Sequence, residues 1–234
     1  MKRFPGGTKS KVKSRYCVHG DKQIEGVEYF DTYAPVVQWS TVRLVITMVL
    51  ANNWTTRQVD YTNTFAQADL KEEVYIEPPK GFPRKDKKDS VLRLLKSVYG
   101  LKQTPKSFFD KISEGFIERG LEQSKLDKRL FMKKDMLCVI YVDDTILAGL
   151  DDAALEEAIK SLGIAEEEQR HTFELRDEGE VGDFLGIRIE KTGSKRFTLT
   201  HNGLINKVLK EANIESCNNT KTTTAITPLG KDLE

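Results

Sequence analysis

The sequence places two adjacent aspartates, Asp143 and Asp144, between two apolar segments, Leu137–Val142 and Thr145–Leu150. Both segments have the composition of β-strands, which predicts a hairpin with the carboxylates at or beside its turn. Two unit charges about 4 Å apart repel by roughly 4 kcal/mol at an effective dielectric near 20. Such a pair therefore either keeps a proton or binds a cation, and we take cation binding as the working hypothesis.

A third carboxylate, Asp60, ends a predicted strand, Trp54–Asp60, which is followed directly by the turn and helix signals of Thr62–Leu70. Functional carboxylates are common at strand ends, because the side chain leaves the sheet there. Capping of the following turn is an equally compatible role for Asp60. Acids converging from separate strands are what a two-metal phosphoryl-transfer site requires, with Mg²⁺ ions about 3.5–4 Å apart.

Two helices are predicted to support these strands. Ser40 as N-cap predicts a buried helix that ends near Asn52. Thr104 as N-cap, with Pro105 at the first helical position, predicts a second helix that ends at Gly120 and carries an apolar face.

Basic and polar residues gather at the start of this second helix: Lys102, Gln103 and Lys106. Backbone N–H groups and the helix dipole favour an anion at such a position, so a phosphate site is reasonable there. A solvated basic loop before a packed helix is equally compatible with the pattern.

Further elements follow from local patterns. Strands are expected at residues 74–76 and 91–95, and a helix capped by Asp151 or Asp152 follows the aspartate hairpin. A second hairpin is predicted over residues 184–200, turning near Thr192 to Ser194. Thr200 or Asn202 then opens a short amphipathic helix.

Composition describes a globular chain of 234 residues with 38% hydrophobic and 31% charged residues. No apolar run approaches about 18 residues, so no membrane span is expected, and the basic N-terminus lacks the apolar core of a signal peptide. Three scattered cysteines exclude a Cys/His zinc site of usual spacing. Bases dominate residues 1–15 and 80–111 whereas acids dominate residues 151–190, which fits polyanion binding through one face and also fits a merely solvated surface.

The residue identities within the motifs favour the functional roles over the purely structural ones. Tyr141–Asp144 resembles the YVDD box of reverse transcriptases, and the surrounding sequence resembles the polymerase of copia-type (Ty/copia) LTR retrotransposons. The matching blocks stand in the family's order: KVKSRYCVHG at 11–20, FDTYAPVVQWSTVR at 30–43, QVDYTNTFAQADLKEEVYIEPPKGF at 58–82, LLKSVYGLKQTPKSFFD at 94–110, YVDDTILAG at 141–149, GDFLGIRI at 182–189 and LINKVLKEANI at 204–214.

The resemblance implies roles for single residues. Asp60 looks like the first catalytic aspartate, Asp143 the second and Asp144 the third, with the Tyr61 carbonyl as an additional ligand of two Mg²⁺ ions, for which Mn²⁺ could substitute. The remaining implied contacts are with substrates: Lys13 and Arg15 on the triphosphate, Phe65 as the steric gate that rejects a 2'-hydroxyl, Gln103 at the nucleotide, and Tyr141, Gly186 and Lys102 at the primer or template. Phe65 as a core aromatic and Lys13 and Arg15 as a generic basic strand are the alternative interpretations.

The implied fold is α+β: a reverse-transcriptase palm and fingers, with an antiparallel palm sheet backed by helices and a truncated thumb. The expected divisions are an N-terminal arm and fingers at 1–53, a palm at 54–190 with a fingers segment at about 70–98, and the start of a thumb with a tail at 191–234. One departure concerns the pocket after Asp60, where the family usually reads D-V-x-x-A-F-L-N/H-G. Thr64 stands in place of the small alanine, which could tighten or impair the nucleotide pocket.

The expected function is RNA-directed DNA synthesis on an RNA or DNA template with a primer and dNTPs. Family resemblance further suggests a fragment of a polyprotein, without its RNase H and integrase regions, in cytoplasmic virus-like particles. A catalytically inactive palm-fold nucleic-acid-binding module is the main alternative. A nucleotidyl cyclase-like palm enzyme is a remote one, because its signature loops are absent from the sequence.

Overall fold

The structure is a computed structural model that describes residues 2–3, 9–11, 15–79, 81, 91–164, 170–193 and 196–216. Its strands are β1 Lys2–Arg3, β2 Lys9–Lys11, β3 Thr55–Tyr61, β4 Tyr75–Ile76, β5 Leu92–Arg93, β6 Glu122–Gln123, β7 Leu130–Lys133, β8 Met136–Tyr141, β9 Asp144–Gly149, β10 Leu175–Gly179, β11 Asp183–Phe184, β12 Ile187–Gly193 and β13 Arg196–Thr200. Its α-helices are α1 Trp39–Asn52, α2 Thr104–Glu118, α3 Asp152–Gly163 and α4 Asn202–Glu211.

An antiparallel sheet of six strands, in the order β10-β3-β9-β8-β7-β6, organises the fold. Two adjacent inner strands, β3 and β9, carry Asp60 and Asp144 at their facing ends. β8 and β9 form the hairpin that the sequence predicts around the aspartate pair. The mixed α/β character and the antiparallel sheet of the expected fold are therefore observed.

One face of the sheet is covered by α2 and α3. Val59 and Tyr61 of β3 pack there against a cluster that includes Phe108, Ile112 and Leu155. Because side chains alternate along a strand, Asp60 between Val59 and Tyr61 points to the opposite face. Burial of the apolar neighbours therefore fixes the direction of the carboxylate.

The opposite face is partly covered by α1 and by the three-stranded sheet β11-β12-β13. Val42 and Val45 of α1 join a second buried cluster with Ile146 of β9, and Phe184 and Ile189 join it from the small sheet. The region beside Asp60 and Asp144 remains only partly covered, and both aspartates are half-buried.

Two predicted helix caps are wrong. α1 begins at Trp39 with Gln38 as its N-cap, two residues before Ser40, because Asp127 from a distant loop accepts hydrogen bonds from the Gln38 amide and the Thr41 hydroxyl. α2 begins at Thr104 itself, whose hydroxyl donates to the Val98 carbonyl instead of capping the helix.

Other local predictions are confirmed. Asp151 caps α3 by accepting a hydrogen bond from the Ala154 amide at 2.8 Å. β12 and β13 form the second predicted hairpin, and α4 follows it. Strands β4 and β5 lie within the two expected segments. None of the helices in the part of the chain that the structure describes is long and apolar enough to cross a membrane.

Candidate active site

Asp60 and Asp144 are register partners on the adjacent antiparallel strands β3 and β9. The next position outward is the hydrogen-bonded one, because the Tyr61 amide donates to the Asp143 carbonyl at 3.0 Å. Asp60 and Asp144 therefore occupy a non-hydrogen-bonded pair, in which Cα atoms are only about 4.5 Å apart and side chains leave on the same face. The fold thus places two acids in direct opposition.

The turn between β8 and β9 consists of Val142 and Asp143, and it holds Val142 at φ +48°. A β-branched residue rarely adopts positive φ, and such a conformation costs on the order of 1–3 kcal/mol. The flanking strand pairs, down to Tyr141 opposite Asp144, hold the turn in this shape. Asp143 is consequently fixed at the tip, next to the opposed pair.

Asp144 is the acid whose ionisation its surroundings disfavour. Burial, together with the negative charges of Asp143 and Asp60, raises the pKa of Asp144 to about 6. Arg176 lies opposite Asp60 on the other neighbouring strand, yet its guanidinium is paired with Glu178, with Nε at 2.7 Å from Oε1. The guanidinium opposite Asp60 is thus shared with a carboxylate of its own strand.

The three carboxylates are the kind of ligand that a divalent cation prefers, but their side chains do not converge on one point. Carboxylate oxygens are the preferred ligands of Mg²⁺, and the raised pKa of Asp144 reports negative charge that a cation would neutralise. In the side-chain positions of the described residues, no three Asp, Glu, His or Cys groups converge to hold a metal ion. Binding would therefore require rotation of the aspartate side chains, which are only half-buried.

The Tyr61 carbonyl, the implied extra ligand, accepts a hydrogen bond from the Thr64 hydroxyl at 2.8 Å. A carbonyl oxygen has two lone pairs, so one remains for another partner. The Tyr61 ring is buried with its edge toward Phe108 and Phe173. Thr64, the departure from the family pattern, thus donates a hydrogen bond to a proposed ligand.

Phe65 lies in the short turn of 3-10 helix that follows β3, and it is half-buried. Its ring contacts the Tyr99 ring in an edge-on arrangement at 4.6 Å between centroids, and the Arg15 guanidinium lies over the other ring at 5.3 Å. Phe65 also packs against Phe108 of the core at 6.4 Å. The structure therefore joins a predicted triphosphate residue to the predicted gate through an aromatic ring.

Tyr99 is the residue of this group that the sequence interpretation missed. Its ring lies between Phe65 and Arg15, and its carbonyl accepts a hydrogen bond from the Val18 amide at 2.9 Å. The following Gly100 has φ +99°, and an added Cβ there would lie 2.0 Å from the Val18 carbonyl oxygen. A tyrosine directly before a glycine in the YGLK segment was the available signal, because the glycine permits this close crossing of two chain segments.

Gln103 and Lys102, both predicted to contact substrates, form hydrogen bonds within the protein. Gln103 is only 2% exposed, and its amide bonds the Gln23 side chain at 3.1 Å and the Glu28 carbonyl at 2.8 Å. The Lys102 ammonium donates to the Tyr29 hydroxyl at 2.9 Å while lying over the same ring. Both side chains fasten the loop of residues 23–29 to the start of α2. Lys13 lies outside the described residues.

Gly186 lies in the turn between β11 and β12. Leu185 at φ +55° and Gly186 at φ +73° give the two positive values that a type I′ hairpin turn requires. The turn is tied to the aspartate hairpin, because the Phe184 ring contacts the Tyr141 ring with centroids 6.5 Å apart. Tyr141 and Gly186, both predicted at the primer, thus belong to one packed unit.

Cavity size does not point to this site. A cavity of about 580 Å³ lies on the other side of the sheet, lined by residues of α2, α3, β9 and the β7–β8 hairpin, among them Phe116, Leu147 and Leu162. Asp60 and Asp144 lie on the opposite face of the sheet and are half-buried.

Comparison with known proteins agrees with this geometry. The family model described as reverse transcriptase (RNA-dependent DNA polymerase) matches residues 4–227. The Retrovirus-related Pol polyprotein from transposon RE2 of Arabidopsis thaliana is 30% identical over 203 residues, which are 82% of this chain and 14% of that protein. The Retrovirus-related Pol polyprotein from transposon TNT 1-94 of Nicotiana tabacum is 28% identical over 213 residues, 88% of this chain and 15% of that protein.

A yeast relative gives the same result. The Transposon Ty1-ER2 Gag-Pol polyprotein of Saccharomyces cerevisiae is 30% identical over 210 residues, which cover 85% of this chain. The chain spans only 11–15% of the length of these three relatives. No solved structure matches the chain.

Proposed function

The chain belongs to the reverse transcriptase (RNA-dependent DNA polymerase) family, in the form found in copia-type retrotransposon Pol polyproteins, and we propose that it extends a primer 3'-end with dNTPs on an RNA template. The observation that carries this proposal is the direct opposition of Asp60 and Asp144, with Asp143 fixed in the adjoining turn. Three acids gathered at the ends of two adjacent strands and their turn suit nucleotidyl transfer, in which negative charge is brought together at the reacting phosphate.

The proposed metal ligands are Asp60, Asp143, Asp144 and the Tyr61 carbonyl. Two Mg²⁺ ions bound there would supply activation of the primer 3'-hydroxyl and stabilisation of the phosphate in transfer. The chain's own contribution is orientation. Strand pairing fixes Asp60 and Asp144, and the strained turn at Val142 fixes Asp143, so little rearrangement beyond side-chain rotation is needed.

Nucleotide selection is proposed for Phe65 and Arg15, supported by Tyr99 between them. Arg15 would meet the triphosphate, and the Phe65 ring would exclude a 2'-hydroxyl by steric contact; Lys13 is proposed for the same substrate group on the family resemblance alone. Gln103 would act indirectly, since its buried amide positions the loop of residues 23–29.

Primer and template contacts are proposed for the packed unit of Tyr141 and Gly186 and for Lys102 at the start of α2. The corresponding division is an arm and fingers at residues 1–53 with a further fingers segment at about 70–98, a palm at 54–190 and the beginning of a thumb at 191–234. RNase H and integrase regions of a polyprotein are the proposed neighbours in a complete protein.

Primer extension tests the proposal. Purified chain is mixed with an RNA template, an annealed DNA primer, dNTPs and Mg²⁺, and extended primer is measured for the wild type, Asp143→Asn and Asp135→Asn. Asp135 is a suitable control because it is an exposed acid in the neighbouring β7–β8 turn. We expect extension by the wild type and the control, and its loss in Asp143→Asn with duplex binding retained. Equal extension by all three proteins would contradict the assignment.

A catalytically inactive nucleic-acid-binding module is the second candidate. It is favoured by the lack of convergence among the described carboxylates and by the Thr64 hydroxyl on the Tyr61 carbonyl. Salt-sensitive duplex binding by a wild-type chain that incorporates no nucleotide would support this second candidate over the first.

A further inference from the structure

Gln58 lies two residues before Asp60 in β3, so its side chain points to the same face of the sheet as that carboxylate. Its register partners are Ile146 in β9 and Gly179 at the end of β10. The β10 register shifts at this point, and Gly179 adopts φ +87° as the chain turns away from the sheet. Gln58 is therefore the β3 residue beside which the chain leaves the large sheet for β11.

Where the backbone pairing of β3 with β10 ends, the Gln58 side-chain amide takes over the hydrogen bonding to the next chain segment. Its Nε2 donates to the Asp183 carbonyl at 3.1 Å, and its Oε1 accepts from the Gly182 amide at 3.3 Å. The Gly182 carbonyl in turn accepts from the Ile189 amide of β12 at 2.7 Å. One side chain thus fastens the start of the β11–β12 hairpin to the strand that carries Asp60.

Gln58 also faces the strand of the second aspartate, since its register partner Ile146 lies in β9, which begins at Asp144. The hairpin that Gln58 holds is the one whose Phe184 contacts Tyr141 beside Asp144. The carboxylates and the β11–β12 hairpin are consequently linked both through packing and through this amide.

We propose that Gln58 is a positioning residue that sets the place of the β11–β12 hairpin, with its turn at Gly186, relative to Asp60 and Asp144. The inference rests on the proposed function, in which this hairpin holds the primer and the aspartates act at the primer end. Its consequence is that loss of the amide displaces the primer end from the carboxylates without removing any group that touches the reacting atoms.

Three variants separate this role from a general loss of structure. Gln58→Met removes both backbone hydrogen bonds, and Gln58→Glu keeps the shape but cannot donate to the Asp183 carbonyl. Gln123→Met is the matched control, because the Gln123 amide donates to the Lys128 carbonyl at 2.9 Å from β6, at the other edge of the same sheet. The substitution thus removes a comparable bond far from the aspartates.

Hydrogen exchange and primer affinity are the two readouts. For Gln58→Met we expect amide protection at Gly182 and Ile189 to fall about tenfold, with a similar rise in the KM for primer–template and a smaller change in kcat. Gln58→Glu should behave alike but lose more kcat, since it adds a negative charge beside Asp144. Gln123→Met should leave both readouts at the wild-type values.

Two results would overturn the proposal: unchanged protection at Gly182 and Ile189 in Gln58→Met, or lost protection with unchanged primer–template affinity. The equilibrium affinity for the duplex, measured in EDTA, provides the second readout without catalysis. If the wild type extends no primer, the proposed function fails, while exchange and duplex affinity still decide the role of Gln58.

Discussion

The carboxylates of Asp60 and Asp144 leave the same face of the sheet from directly opposed positions on β3 and β9. Like charges directly opposite each other destabilise an antiparallel pair, and ordinary sheets avoid them. Here the arrangement is reinforced by Asp143 in the adjoining turn and by partial burial, which together raise the pKa of Asp144. The fold therefore holds a destabilising arrangement at the site where the family resemblance implies catalysis.

Replacing Asp144 should stabilise the metal-free protein. Its pKa is raised from 3.8 to about 6, so between these values the folded state binds a proton that the unfolded state lacks, and stability falls as the pH rises through this range. Asp144→Asn cannot ionise at this position, so its stability does not fall in this way as the pH rises. After allowance for solvent screening of a half-buried group, we expect its free energy of unfolding at pH 7.5 in EDTA to exceed the wild-type value by about 1–2 kcal/mol.

Denaturant unfolding at several pH values checks this prediction. The advantage of Asp144→Asn over the wild type should shrink as the pH falls from 7 toward 4, because the wild-type carboxyl then takes up its proton in the folded state and its charge no longer destabilises that state. An advantage that is independent of pH, or a loss of stability at pH 7.5, would show that the opposed charges are not its source.

Mg²⁺ should stabilise the wild type, so that in Mg²⁺ the wild type becomes more stable than Asp144→Asn. A ligand at about 100 times its Kd adds roughly 2.7 kcal/mol to the free energy of unfolding, which raises the Tm of a chain of this size by about 5 °C or more. Asp143→Asn should lose most of this rise, whereas Asp135→Asn, which alters an exposed acid of the neighbouring turn, should keep it. Equal Tm shifts in all three proteins would place the cation elsewhere.

Features that depend on local pattern were predictable from the sequence. The aspartate hairpin, the β12–β13 hairpin and the Asp151 cap each have their signal within a few residues, and each is observed. For Asp60 and Asp144 the sequence predicts only that the two acids approach each other from separate strands, not that they are register partners. Its register is set by the apolar faces that β3 and β9 bury, a long-range property.

Features created by distant contacts were not predictable. β10 has the charged sequence LRDEG, which carries no strand signal, and it forms because the edge of β3 provides pairing partners. The turn at Leu185 was missed, since leucine is an unusual residue at positive φ. The resemblance implies Gln103 at the nucleotide, and its partners in the fold, Gln23 and Glu28, lie too far away in sequence to be identified from local pattern.

Phe65 should control discrimination between deoxyribonucleotides and ribonucleotides. Phe65→Val removes the ring that would meet the 2'-hydroxyl, so the ratio of kcat/KM for dNTP to that for rNTP should fall by about 10- to 100-fold. Tyr99→Phe keeps the neighbouring ring and removes only its hydroxyl, and it should retain selectivity. A Phe65→Val protein that is less stable but equally selective would identify the side chain as part of the core.

Asp127 should be essential for the stability of α1. This carboxylate is 7% exposed and accepts hydrogen bonds from the Gln38 amide at 3.1 Å, the Thr41 hydroxyl at 2.5 Å and the Arg129 amide at 2.9 Å. In Asp127→Asn an amide group faces these donors, so we expect the free energy of unfolding to fall by about 1–3 kcal/mol. Asp135→Asn in the exposed turn should change it by less than about 0.5 kcal/mol. Equal denaturation midpoints for the two variants would mean that α1 is held by its apolar face alone, through contacts such as those of Val42.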